Sequence, residues 1–225
     1  GITIGLLITF IIVIILLLPQ YEFLHERGPL NTGHENLKCE ACHKKAPGTM
    51  RQQLQAKVKH TLGLRKADVP YGSMDVDNNA CLACHERGND RHPVLRFTEL
   101  RFKEARAAIA PHQCESCHRE HSGVRVTMEQ GFCINCHQNL DLKKDPLEIS
   151  HKMLVKNNKW ETCLQCHDFH GNHMRSLASS LQDTIPLAAI TQYFEGGTSP
   201  YGEMKEYEAK KIAAFIRTIE YEEEN

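Results

Sequence analysis

The sequence predicts a mainly α fold with much loop, preceded by one amino-terminal transmembrane helix. Three observations carry that expectation: an apolar run at residues 2–18, a polar and turn-rich remainder, and ten cysteines that all fall in five copies of one pentapeptide. The copies are Cys39-Glu-Ala-Cys42-His43, Cys81-Leu-Ala-Cys84-His85, Cys114-Glu-Ser-Cys117-His118, Cys133-Ile-Asn-Cys136-His137 and Cys163-Leu-Gln-Cys166-His167. Cys-x-x-Cys-His is the attachment signature of c-type haem. Each of the two thiols can form a thioether to one porphyrin vinyl group, and the adjoining histidine is thereby held under the iron as its proximal ligand. A zinc site needs paired Cys-x-x-Cys units and is indifferent to the residue that follows, whereas histidine follows all five copies here. A disulfide across two intervening residues is strained outside redox motifs. Five covalent haem c groups are therefore expected, with His43, His85, His118, His137 and His167 on the irons.

Charged residues make up 24% of the 225, and the mean hydropathy is −0.44 in spite of the apolar start. Outside that start the chain is too polar for an ordinary large core. Cys39 to His167 covers 129 residues, about 26 for each motif. The expected domain is a thin polypeptide wrapped around a packed haem stack that serves as its core. A formal charge of −1 offers no basic face for nucleic acid, which is not expected as a partner.

Residues 2–18 are interrupted only by Thr3, Gly5 and Thr9, and Pro19 ends the run. This length sits at the lower limit for a membrane-spanning helix. A cleavable signal peptide is the rival, but Pro19-Gln20-Tyr21-Glu22-Phe23 holds no Ala-x-Ala cleavage pattern. An uncleaved single-pass anchor in a bacterial cytoplasmic membrane is expected. Covalent haem attachment takes place on the outer side of that membrane, which puts residues 20–225 there. The organisation expected is an anchor at 1–19, a juxtamembrane segment at 20–33, a pentahaem domain at 34–175 and a helical tail at 176–225.

The motifs recur at spacings of 42, 33, 19 and 30 residues, which argues against a regular solenoid. Helices are expected at Met50–Leu62 and at Glu99–Ala110, the latter closed by Pro111. Gly, Asn, Asp and Pro punctuate the rest too often for long elements. In the tail, Ile212, Phe215, Ile216 and Ile219 fall at helical spacing and predict an amphipathic helix from Met204 to Glu220.

Fourteen histidines less the five in the motifs leave His25, His34, His60, His92, His112, His121, His151, His170 and His173. Five irons each want a second axial ligand, and imidazole is the donor in surplus. The ligands expected are His34, His92, His121, His151 and His170, with His173, His60 and His112 in reserve. His121 and His170 stand three residues after a motif histidine, share its helix face, and so should serve a different haem. His25 reads as a residue of the membrane interface.

The five motifs, the upstream His34, the Cys-His-x-x-His stretches at 117–121 and 166–170, and the single anchor resemble the membrane-anchored multihaem c-type cytochromes. That group holds the quinol dehydrogenases of nitrite and nitrate respiration, and the pentahaem subunit of alternative complex III is similar in count and layout. The resemblance implies electron relay between a membrane partner, quinol-linked or respiratory, and periplasmic acceptors, alone or within a larger complex. Direct quinol oxidation is a narrower expectation, with His25, Glu26 or Glu35 taking the protons. The alternative is a reductase acting on a small inorganic substrate at one open haem, with Arg91, His92, Lys152 or His173 poised above it.

Overall fold

Helix-forming stretches in this chain are short, and the computed structural model, which describes residues 1–18, 21, 24 and 26–217, turns them into eight α-helices joined by loops and 3₁₀ turns. The helices are α1 (Ile2–Leu17), α2 (Met50–Thr61), α3 (Asn78–His85), α4 (Lys103–Ile109), α5 (Ile134–His137), α6 (His151–Lys156), α7 (Thr162–Cys166) and α8 (Leu187–Phe194). Among the described residues there are no strands, only isolated bridges such as Leu37 with Ile216 and His173 with Lys205.

The apolar run forms α1, whose large side chains from Ile2 to Leu16 are mostly exposed. Its 16 residues rise about 24 Å, against roughly 30 Å of bilayer hydrocarbon. Among the described residues no helix is long and apolar enough to cross a membrane. The expected transmembrane helix is thus present as an apolar helix that falls short of a full span.

The helix expected at 50–62 is α2. Thr49 starts it by accepting from the Gln52 amide while the Gln52 side chain bonds back to Thr49. The buried Gln53 pins it to the preceding turn, donating to the Ala46 carbonyl at 2.9 Å and accepting from the Gly72 amide at 3.0 Å. Only the second half of the element expected at 99–110 is α-helix. Residues 100–102 form a 3₁₀ turn, and α4 closes with Ala110, ahead of Pro111, in the left-handed region at φ 44° with its amide bonded to the Arg106 carbonyl.

The apolar interior is small. Its main cluster is Leu164 from α7 with Ile185, Ile190 of α8 and Tyr201, and it is closed by the Tyr201 hydroxyl donating to the Leu164 carbonyl at 2.7 Å. Residues beyond the last motif thus pack on α7.

The amphipathic helix expected from Met204 to Glu220 is overturned over the described residues. Residues 204–212 have no helix, and only Ala213–Phe215 make a 3₁₀ turn; residues 218–220 lie outside the described residues. The backbone of this segment is used elsewhere. Met174 donates to the Met204 carbonyl, Glu206 to Asn172, Lys210 to Cys84, Lys38 to Phe215 and Arg217 to Asn36. A strap that hydrogen-bonds to three separate stretches of chain satisfies its amides there, and tertiary pairing overrides the helical period.

Candidate haem-binding sites

Each motif occupies a single helical turn. The histidine amide donates to the carbonyl of the first cysteine at 2.8 Å in His43, 3.0 Å in His118, 3.0 Å in His137 and 2.8 Å in His167, while His85 lies within α3. Residues i, i+3 and i+4 of such a turn share one face, so both thiols and the imidazole of every motif point the same way. Among the described residues no two cysteines are joined by a disulfide.

Opposite each motif histidine stands a second imidazole. At site 1 His43 faces His121 with ring centres 6.3 Å apart, and at site 2 His85 faces His34 at 5.8 Å. Site 3 pairs His118 with His170 at 6.2 Å, site 4 pairs His137 with His92 at 6.3 Å, and site 5 pairs His167 with His151 at 6.3 Å. Two metal–nitrogen bonds of roughly 2 Å, with each ring centre about 1 Å behind its donor atom, place the centres about 6 Å apart. The spacing therefore fits one ion between each pair. Among the described residues no three His, Cys, Asp or Glu side chains are grouped to hold a bare metal ion. A centre with two imidazoles leaves its remaining positions to the four nitrogens of a porphyrin.

The burial of four motif rings suits ligation, which needs neutral imidazole. Burial pulls His85 down to about 4, aided by the neighbouring charges of His34 and Arg87. Burial likewise lowers His118, His137 and His167. In every outer imidazole Nδ1 is already engaged, which leaves Nε2 free to bind. His34 donates to Glu120 at 2.8 Å, His151 to Asp145 at 2.9 Å and His170 to Asp90 at 3.0 Å. His121 donates to the Gly28 carbonyl at 3.1 Å, and His92 to that of Phe169. Ligating histidines held through their second nitrogen have a fixed tautomer and ring plane. Gly28 is required at its position, since a Cβ there would collide with the His121 carbonyl.

His121 and His170 face motif histidines other than their sequence neighbours, but by a different local geometry from the one expected. Neither shares a helix with the preceding motif histidine. His121 sits in a turn at φ 63°, and the chain leaves α7 in extended form at His167. Of the reserve histidines, His173 has both nitrogens occupied, Nδ1 donating to Asp168 at 2.8 Å and Nε2 accepting from the Ser199 hydroxyl at 3.2 Å. His60 bonds the Arg65 carbonyl, and His112 Nδ1 is buried without a hydrogen-bond partner. His25 lies outside the described residues. Sequence reasoning missed the carboxylates Glu120, Asp90 and Asp145, although each precedes a spare histidine by six residues or fewer.

Beside site 5, Arg91, Arg175, His167 and Asp168 border a cavity of about 160 Å³, and Arg175 Nη1 is buried there without a hydrogen-bond partner. A cation so placed fits a porphyrin carboxylate. Burial works to raise the Asp168 carboxyl, but hydrogen bonds from the His173 ring and from the His173 and Asn172 amides outweigh it and hold it at about 2. With the folded value below the ordinary 3.8, this stabilisation is complete above about pH 4 and is lost as pH falls through about 2. Asp168→Asn is expected to cost roughly 1–2 kcal/mol at neutral pH and to flatten the acid limb of the stability curve. Thermal unfolding followed from about pH 6 downward checks this, and an unchanged limb contradicts it.

Thiol pairs and histidines on single turns, each facing a locked second imidazole, make this chain a c-type cytochrome, a class whose general activity is haem-based electron transfer. Residues 36–119, which take in the first three motifs, match the family model for cytochrome c554 and c-prime. No curated protein and no solved structure matches the chain.

Proposed function

We propose that the chain carries five covalent haems c, each iron bound on both faces by histidine, and that it works as a membrane-attached electron carrier. The observation that carries this reading is the opposed imidazole at every one of the five motifs. Bound at each site, haem supplies an iron that changes by one electron between ferric and ferrous. The motif cysteines would hold its edge, and the motif histidines together with His34, His92, His121, His151 and His170 would hold its iron. With both positions filled by protein, no site is left for a substrate. That favours the carrier over the reductase, which needs one uncapped iron.

Membrane attachment through α1 is part of the proposal and rests on its exposed apolar side chains, from Ile2 at 82% to Leu16 at 38%. The partners that follow are the lipid bilayer, a membrane-bound donor of the quinol-linked or respiratory type, and periplasmic acceptor proteins. Intact-mass measurement and EPR of the membrane-extracted protein test the reading together. Five porphyrins added through thioethers and five low-spin ferric signals are expected; a high-spin signal in the native protein, or fewer porphyrins, would overturn it. Co-flotation with liposomes, lost when residues 1–18 are deleted, tests the attachment separately.

A further inference from the structure

The outer imidazoles are not all held alike. At sites 1 and 2, residues 28–34 and 119–122 grip each other. His34 Nδ1 donates to Glu120 Oε2 at 2.8 Å, His121 Nδ1 donates back to the Gly28 carbonyl at 3.1 Å, and the Asn31 amide donates to Glu120 Oε1 at 2.7 Å. At sites 3 and 4 the same exchange joins residues 90–92 to 168–170. His170 Nδ1 donates to Asp90 Oδ2 at 3.0 Å, His92 Nδ1 donates to the Phe169 carbonyl, and the Arg91 amide donates to the His170 carbonyl at 3.2 Å. The Phe169 ring lies flat on His92 at 4.3 Å and edge-on to His170 at 5.1 Å. Each clasp thus sets one imidazole on a carboxylate and the other on a neutral carbonyl. Site 5 stands alone, with His151 Nδ1 on Asp145 at 2.9 Å.

A carboxylate draws the Nδ1 proton harder than an amide carbonyl does, and it leaves the ring a more basic donor at Nε2. A more basic axial donor favours ferric over ferrous iron and lowers the reduction potential. Resting on the five-haem reading above, we infer that these acceptors sort the sites into two tiers. Sites 2, 3 and 5, backed by Glu120, Asp90 and Asp145, form the low-potential tier. Sites 1 and 4, backed by the Gly28 and Phe169 carbonyls, form the high-potential tier. Each clasp then joins a low site to a high one, 2 with 1 and 3 with 4. Arg87 lies 3.6 Å from Asp90 and offsets part of its charge, which makes site 3 the highest of the low tier.

The test is an EPR-monitored redox titration of the full-length, haem-loaded protein and its Glu120→Gln, Asp90→Asn and Asp145→Asn variants. Each amide removes the charge and keeps one acceptor oxygen, while its NH2 replaces the second. The wild type should show three low and two high potentials. In each variant one low-tier site should move upward by about tenfold in its oxidised-to-reduced ratio, roughly 59 mV for a one-electron couple. Five unsplit potentials, a downward shift, or a shift spread evenly over all sites overturns the inference, and the wild-type pattern decides even if a variant fails to load. Five low-spin haems without the three-and-two split sink the tiers alone, whereas fewer than five sink the underlying reading as well.

Discussion

Replacing Cys114 and Cys117 together by alanine is expected to prevent cooperative folding of the whole haem domain, with about a tenfold or greater loss of folded protein. The reason lies in how little else holds residues 26–130. Their buried residues are Asn31, Ala46, Gln53, Phe97 and Ala105, which form no continuous apolar core. Ordering that length of chain costs on the order of 1–2 kcal/mol per residue in backbone entropy, and so small an interior cannot offset it. On the proposed reading the compensation comes from cofactor contacts and from axial bonds, which would close loops between distant segments such as His34 with His85 and His43 with His121. Site 3 is the worst to lose because its ligands, His118 and His170, tie the middle of the chain to the end of α7. Circular dichroism and the yield of haem-containing protein measure the effect. A variant that melts cooperatively with four haems at the wild-type temperature would contradict it.

His92→Ala should have the largest spectroscopic effect while leaving the fold intact. The imidazole faces His137 at 6.3 Å and is walled on its other side by the Phe169 ring. Deleting it removes the outer donor of site 4 without touching either thioether. One of five low-spin signals should become high-spin, and one equivalent of carbon monoxide or cyanide should bind per chain where the parent binds none. The same variant of His173, whose two nitrogens are taken by Asp168 and Ser199, should leave all five signals unchanged. The opposite pattern would show that the axial donors had been misassigned.

Much of the chemistry was legible because it is local. Five thiol pairs with their histidines fit on single turns, so pentapeptides alone located the turns that bring each thiol pair and its histidine together. A surplus of histidine pointed to a second axial donor, and the five spare histidines singled out are those that stand opposite the motifs. Which one faces which motif was not legible, since the partners lie between 16 and 78 positions apart in the chain. The carboxylates behind His34 and His170 were invisible for the same reason. Glu120 and Asp90 are near neighbours of other histidines, His121 and His92, and reach their own partners only across the fold.

The tail marks the boundary from the other side. Its helical spacing at Ile212, Phe215 and Ile216 is real in the sequence, yet residues 204–212 run as a strap whose amides and carbonyls bond to remote segments. The sequence by itself determined where the thiol pairs and their histidines lie and which residue type stands opposite them, because both depend on spacing and donor chemistry within a few residues. The pairing of imidazoles, the carboxylate or carbonyl behind each, and the course of the tail were decided only by the tertiary structure. These depend on which backbone and side-chain groups meet after folding, and no periodicity along the chain encodes such meetings.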